Sequence, residues 1–292
     1  MTVMVTGASG VVGGAVVRAL VRRDEVRATV RRQDGAEGLR ALGAKVAVRT
    51  IERSEDLAEI LQRVHTVVHL IGGPNQPDDD EVFAANHRSA LAAVDAAAEL
   101  KVRRFILASV PGADPGADDA FLRAKGLAEE AVASSGLDHA IVRLAPVYGV
   151  GGLWFTALVQ GALADPPLVV GDPERLAAPV FADDVGTLVA ALDDHPDGIG
   201  GTWSFQGAET VSIRELLRVL RDDDRAPEVL GPDESVDRLS DLLEVPVSPA
   251  AARYLATAGL ARDAPDAATA FRVARTGLLD GLRTTLERAG AG

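Results

Sequence analysis

Three glycines at three-residue spacing, Gly7, Gly10 and Gly13, lie in the run Thr6-Gly7-Ala8-Ser9-Gly10-Val11-Val12-Gly13, directly behind the apolar stretch Val3-Met4-Val5. Such a run does its chemistry with the backbone. A sharp turn at Gly7 takes the chain off a strand, and the bare Gly10 lets N–H groups approach a pyrophosphate at the positive end of a helix. Gly13 lets that helix, marked by Val12, Val16, Leu20 and Val21, pack closely on the strand. Strand, glycine turn and apolar-periodic helix together open a dinucleotide-binding unit. The next apolar strand, 26–30, ends in Arg31-Arg32. A carboxylate there would hydrogen-bond the ribose hydroxyls of NAD, whereas arginine receives a 2′-phosphate. NADP(H) is therefore the expected cofactor, with NAD the weaker ligand.

Other residues able to do chemistry sit farther along. Ser109 ends the apolar strand 104–109, and the carboxyl ends of parallel strands are where ligands bind. Phe121 and Lys125, four apart in the segment 118–134, share one helix face. Asn86 and His87 lie in a long Ala-rich helix, 81–100, and His69 in an apolar strand; both histidines read as structural. Tyr148, after the strand 140–144, is either a hydroxyl at the site or a wall residue. Asp183-Asp184 reads as a helix N-cap pair, and no metal-ligand spacing is present.

These residues need a frame to hold them, and the pattern supplies one. Further strands are predicted at 45–48 and 66–71, the latter closing on Gly72-Gly73-Pro74. Ser54 is expected to cap an amphipathic helix running to Val64. Strands alternate with helices through six repeats, which specifies a parallel sheet. Beyond Gly149 the pattern loosens: a helix near 154–163, a strand at 168–170, a helix after Asp184, a strand at 202–205, and a capping box Ser212–Glu215. The acidic, Pro-containing stretch 222–248 reads as a mobile excursion or lid, and helices follow near 250–257 and 277–288.

The 292 residues fit one large α/β unit with an extension. A net charge of −13, from 30 basic and 43 acidic residues, argues against a nucleic-acid surface. No apolar run reaches the ~18–20 residues that span a bilayer, so no membrane partner is expected. The chain enters a strand at once, without a signal-type segment, and a cytoplasmic location is expected. With no cysteine there is no disulfide or thiolate chemistry.

The motifs TGASGVVG (6–13), VVHLIGG (67–73), Asn86, FILAS (105–109), FLRAKGLAEEAVASSGLDHAIVRLAPVYG (121–149), FADDV (181–185) and LLDGLRTTLE (278–287) span essentially the whole chain. Through them it resembles the short-chain dehydrogenase/reductase superfamily, in its extended or atypical branch of NmrA-like and complex-I-accessory-subunit-like proteins. The resemblance implies an α/β Rossmann fold: a doubly wound parallel core over 1–150 and a smaller C-terminal α/β substrate-binding subdomain, with returning core elements, over 151–292. It implies NAD(P) held by Gly7, Ser9, Gly10, Val11, Val12, Gly13, Arg31, Arg32, Thr50, Leu70, Ile71, Gly72, Lys125 and Pro146. Ser109, Lys125 and Asn86 match the family's catalytic Ser, Lys and Asn. The catalytic Tyr position is Phe121, which carries no ionisable proton, and Thr50 stands where many relatives have an Asp near the adenine. The leading expectation is an NADP(H)-dependent oxidoreductase acting on a small metabolite carbonyl or alcohol, as a monomer or homodimer, with an altered proton donor. The alternatives are a non-redox enzyme on the same fold (a cyclase, dehydratase or isomerase) and a nucleotide-sensing regulator or assembly subunit.

Overall fold

A computed structural model describes residues 1–221 and 223–290. Six strands alternate with helices in the first half: β1 (Thr2–Thr6), β2 (Glu25–Val30), β3 (Lys45–Val48), β4 (Thr66–His69), β5 (Arg104–Ser109) and β6 (Asp138–Leu144). A seventh, Gly201–Phe205, returns from the later chain to pair with β6. The sheet order is Gly201–Phe205, β6, β5, β4, β1, β2, β3, every pair parallel. The direction of winding reverses between β1 and β4, so a crevice opens at their carboxyl ends.

Alternation along each strand feeds two cores. Val3 and Val5 of β1 join Val16, Val17 and Leu20 of the helix Val11–Leu20, while Met4 between them joins Phe105, Leu107 and Ala93 on the other face. β6 divides the same way, Val142 to the first core and Ile141 to the second. Burial on both faces is why these strands are almost uninterruptedly apolar. A third cluster, including Trp154, Phe155, Leu216 and Leu239, holds the C-terminal helices together.

Several local expectations are corrected. The helix after Ser54 covers only Glu55–Ala58, and Ser54 makes no side-chain cap. The Asp56 carboxylate takes the N–H groups of Glu52 and Arg53 instead, 3.0 Å each, and Arg63 turns the chain at a φ of +62° before β4. The long Ala-rich helix starts at Asp79 and runs to Glu99, but winds into a π turn over Ala84–Arg88 that contains Asn86. Within 222–248 lie a strand, Glu228–Leu230, and a helix, Pro232–Leu243, whose Leu239 is buried; Asp222 lies outside the described residues, as do 291 and 292. Asp183 and Asp184 sit in the first turn of the helix Ala182–Asp194 and do not cap it; Phe181 is at the N-cap. Asp184 accepts from the N–H and hydroxyl of Thr276, and Asp183 pairs with Arg18 and Arg288. Among the described residues no helix is long and apolar enough to cross a membrane.

Candidate dinucleotide and active site

A cleft of about 350 Å³ opens over the carboxyl ends of β1 to β4. Gly7, at a φ of +67°, brings the first turn against the end of β4: a Cβ there would lie 2.8 Å from the Leu70 carbonyl carbon. A Cβ at Gly13 would overlap the Gly7 carbonyl oxygen, so Gly13 packs on the turn itself rather than on the strand. At Gly10 a Cβ would meet only Gly7 O at 3.5 Å. The fold has room for a side chain at Gly10; the bare position serves whatever approaches from the cleft. Gly10 caps Val11–Leu20 without a side-chain bond, and the first turn has no acidic residue. The N–H groups of Val11, Val12 and Gly13 thus lack helical partners, an arrangement suited to a pyrophosphate.

Of the expected cofactor set, Gly7, Ser9, Gly10, Arg31, Thr50, Leu70, Ile71 and Gly72 line this cleft. Val11 borders a neighbouring hollow with Gly149 and Phe181, Val12 packs against the core, and Gly13 is buried, so these three offer backbone alone. Pro146 is buried, its carbonyl accepting the Val180 N–H at 2.9 Å. The two arginines separate. Arg31 lines the cleft and has no ion pair among the described residues, whereas Arg32 is taken by Asp34 and is not part of the lining. Thr29 and Arg49 also line the cleft and were missed by the sequence reading. The signal for Arg49 was legible, because it follows β3 as Arg31 follows β2.

At the other end, Gly72 (φ +133°) is a point of close approach: a Cβ would overlap Asn86 Oδ1 and stand 3.0 Å from Lys125 Nζ. Asn86 is buried and fully engaged. Its Oδ1 accepts from Gly73 N–H at 2.9 Å, while its amide donates to the carbonyls of Gly73 and Val82 at 3.0 and 2.9 Å. Its role in this structure is to fix the Gly72–Gly73 backbone. Lys125 donates to the Ala108 carbonyl at 3.1 Å, and burial pulls its ammonium down to about 8. The same helix, Ala120–Ser134, is capped by Asp119, whose Oδ1 accepts from the Phe121 and Leu122 N–H groups.

Ser109 does not face open space. Its hydroxyl donates to Glu129 Oε1 at 2.5 Å, and Glu129 is gripped by Arg143 through Nε at 2.9 Å and Nη2 at 2.7 Å. Phe121, 3% exposed, lies among Val82, Ala124 and Ala250 with the Tyr254 ring edge-on, centroids 5.9 Å apart. Tyr148 is not available as a substitute hydroxyl. It packs against Phe155 and Phe181 in the C-terminal core, and a Cβ at Gly281 would overlap its oxygen. Burial, with Asp184 nearby, pushes that phenol well above its ordinary value. His69 shares hydrogen bonds with Thr6 and Ser89, and burial holds its imidazole neutral down to about 3. His87 is half-buried and shifted the same way by burial. Glu129 and Tyr254 had no place in the sequence reading, although Glu129 lies four residues after Lys125 on one helix face.

Residues 7–148 match a family model described as NAD(P)H-binding. Over 187 residues the chain is 27% identical to NADH dehydrogenase (ubiquinone) 1 alpha subcomplex subunit 9, mitochondrial, of Arabidopsis thaliana, covering 62% of this chain and 46% of that protein. It is 28% identical over 228 residues to the (4-alkanoyl-5-oxo-2,5-dihydrofuran-3-yl)methyl phosphate reductase of Streptomyces griseus, covering 75% and 73%. Among solved structures, MoeE5 in complex with UDP-glucose and NAD shares the fold at a TM-score of 0.72, with 22% identity and 100% of both chains covered. The chain spans about half the length of the first curated relatives it matches. Sheet order, glycine turn and these matches together show a Rossmann-type fold whose residues 7–148 resemble NAD(P)H-binding proteins.

Proposed function

We propose that this chain binds NADPH and adds its hydride to an electron-poor double bond of a small metabolite, one conjugated to a carbonyl. The observation that carries the reading is the state of the two positions that match the family's proton-donating Tyr and Ser: Phe121 has no hydroxyl, and Ser109 spends its single proton on Glu129. Ketone reduction needs a proton on oxygen as hydride reaches carbon. Addition to a conjugated double bond moves the electron pair onto the carbonyl as an enolate, whose carbon takes its proton from water. No phenol is required.

The cleft suits the cofactor on its own geometry. The uncapped helix start offers N–H groups to a pyrophosphate, Arg31 offers a charge at the adenosine end, and Gly72 leaves bare backbone beside Lys125. NADPH, when bound, supplies the hydride. Lys125 then holds the ribose beside it, Asn86 keeps Gly72–Gly73 in place, and Phe121 with Tyr254 forms an apolar wall. The Streptomyces relative supports this choice, since the name of its substrate describes a ring double bond flanked by two carbonyl groups.

A second reading, a nucleotide-binding subunit without turnover, draws on the same state of Phe121 and Ser109 and on the likeness to a complex I subunit. One experiment separates them. Loss of NADPH absorbance is followed with an acyl-substituted unsaturated lactone and with a simple ketone. Turnover of ~1–10³ s⁻¹ on the lactone alone is expected. NADPH binding with no turnover on either compound would favour the subunit, and product formation without NADPH loss would point to non-redox chemistry.

A further inference from the structure

The adenosine end of the cleft carries a second cation. Arg49 lines it with Arg31, and backbone register puts the two side by side. Val30 pairs with Val48 in the β2–β3 ladder, and the Arg49 N–H donates to the Val30 carbonyl at 2.9 Å, so Arg31 and Arg49 are the next matched positions. Paired residues of a parallel ladder project to the same face, and period-two alternation puts Thr29 on that face too. Thr29 is 1% exposed, and its hydroxyl has no hydrogen-bond partner among the described residues. Arg49 is half-buried, anchored by one bond from Nη1 to the Asp56 carbonyl at 2.5 Å, with no ion pair among the described residues. Its other N–H donors remain uncommitted. Glu52, the carboxylate also lining this end, pairs with neither arginine among the described residues.

We infer that Arg49, together with Arg31, forms a two-arginine clamp for a phosphate monoester on the adenosine ribose, and that Arg49 is a specificity-determining residue in the role the sequence suggested for Arg32. The inference rests on the cofactor choice proposed above and names the residues that make it. Two guanidinium groups side by side match the oxygens of a dianionic phosphate, and each charge-assisted contact accounts for about tenfold or more in affinity. An unphosphorylated ribose gains nothing from the pair.

The test is calorimetric binding of 2′,5′-ADP and of 5′-ADP to the full chain and to Arg49→Met, Arg31→Met and Arg32→Met. Wild type should bind 2′,5′-ADP about 100-fold more tightly than 5′-ADP. Arg49→Met and Arg31→Met should each cut that preference about tenfold with 5′-ADP binding unchanged, while Arg32→Met leaves both ligands within about twofold. If Arg49→Met lost 5′-ADP binding through local damage at Asp56, Arg49→Gln, which keeps a donor for that carbonyl without the charge, carries the same expectation. A preference that survives both Arg49 variants overturns the clamp and leaves NADPH selectivity standing. A wild type with no preference overturns the selectivity and the clamp together.

Discussion

Installing the absent phenol, Phe121→Tyr, probes the proposed chemistry most directly. The ring is 3% exposed and surrounded by Val82, Ala124, Ala250 and the edge-on Tyr254. A hydroxyl added there costs about 1–3 kcal/mol if it finds no partner. At roughly 2–4 °C per kcal/mol for chains of this size, Tm falls by about 2–12 °C. A hydroxyl that meets a partner toward Lys125, one helical turn on, leaves Tm nearly unchanged. A positioned general acid contributes about 10²–10⁴-fold, and a neighbouring cation lowers a phenol from its ordinary ~10. Reduction of a simple ketone by Phe121→Tyr is therefore expected to rise at least about tenfold over wild type, while reduction of the activated double bond stays similar or falls. Rates come from NADPH loss on the two substrates, and Tm from thermal unfolding. Wild-type ketone turnover near ~10 s⁻¹ with no gain in the variant would refute this account of the site.

Three further outcomes follow from the same geometry. Gly10→Ala should leave Tm within about 1–2 °C yet weaken NADPH binding about tenfold or more, whereas Gly13→Ala, whose Cβ would stand 2.6 Å from Ala8 Cα, should destabilise the fold by several kcal/mol; equal effects on binding and Tm would contradict the assignment. Lys125 titrates near 8 in the folded chain and near 10.5 when unfolded. Between those values only the unfolded state holds the proton, so Lys125 makes stability rise with pH, while NADPH affinity falls as the ammonium is lost above about 8; Lys125→Met should flatten both profiles. His69, neutral down to about 3 when folded, must take up a proton on unfolding below its ordinary 6.5. Its contribution to stability is thus lost as pH falls from 6.5 toward 3, and urea unfolding of His69→Gln should show a shallower acid slope than wild type.

What the sequence determined by itself was set by local pattern. β5 and β3 have the bounds that their apolar runs predict, and the glycine turn, the helix carrying Phe121 and Lys125, and the Ser212–Glu215 box all form where short-range periodicity and capping put them. The parallel sheet and its ligand-bearing edge followed from strand–helix alternation, because few topologies bury such strands on both faces. The helix after Ser54 escaped this logic: it stops after one turn, with no side-chain cap from Ser54, and the Asp56 carboxylate instead ties down the preceding Glu52 and Arg53 N–H groups. Tertiary structure alone decided the state of each functional side chain. Ser109 meets Glu129 twenty positions away, Tyr148 is drawn into a core built from the chain's last helices, and Arg49 comes beside Arg31 across a ladder. Backbone periodicity fixes where a side chain starts, but which proton, charge or cavity it meets depends on elements distant in sequence that only the folded packing brings within hydrogen-bonding reach.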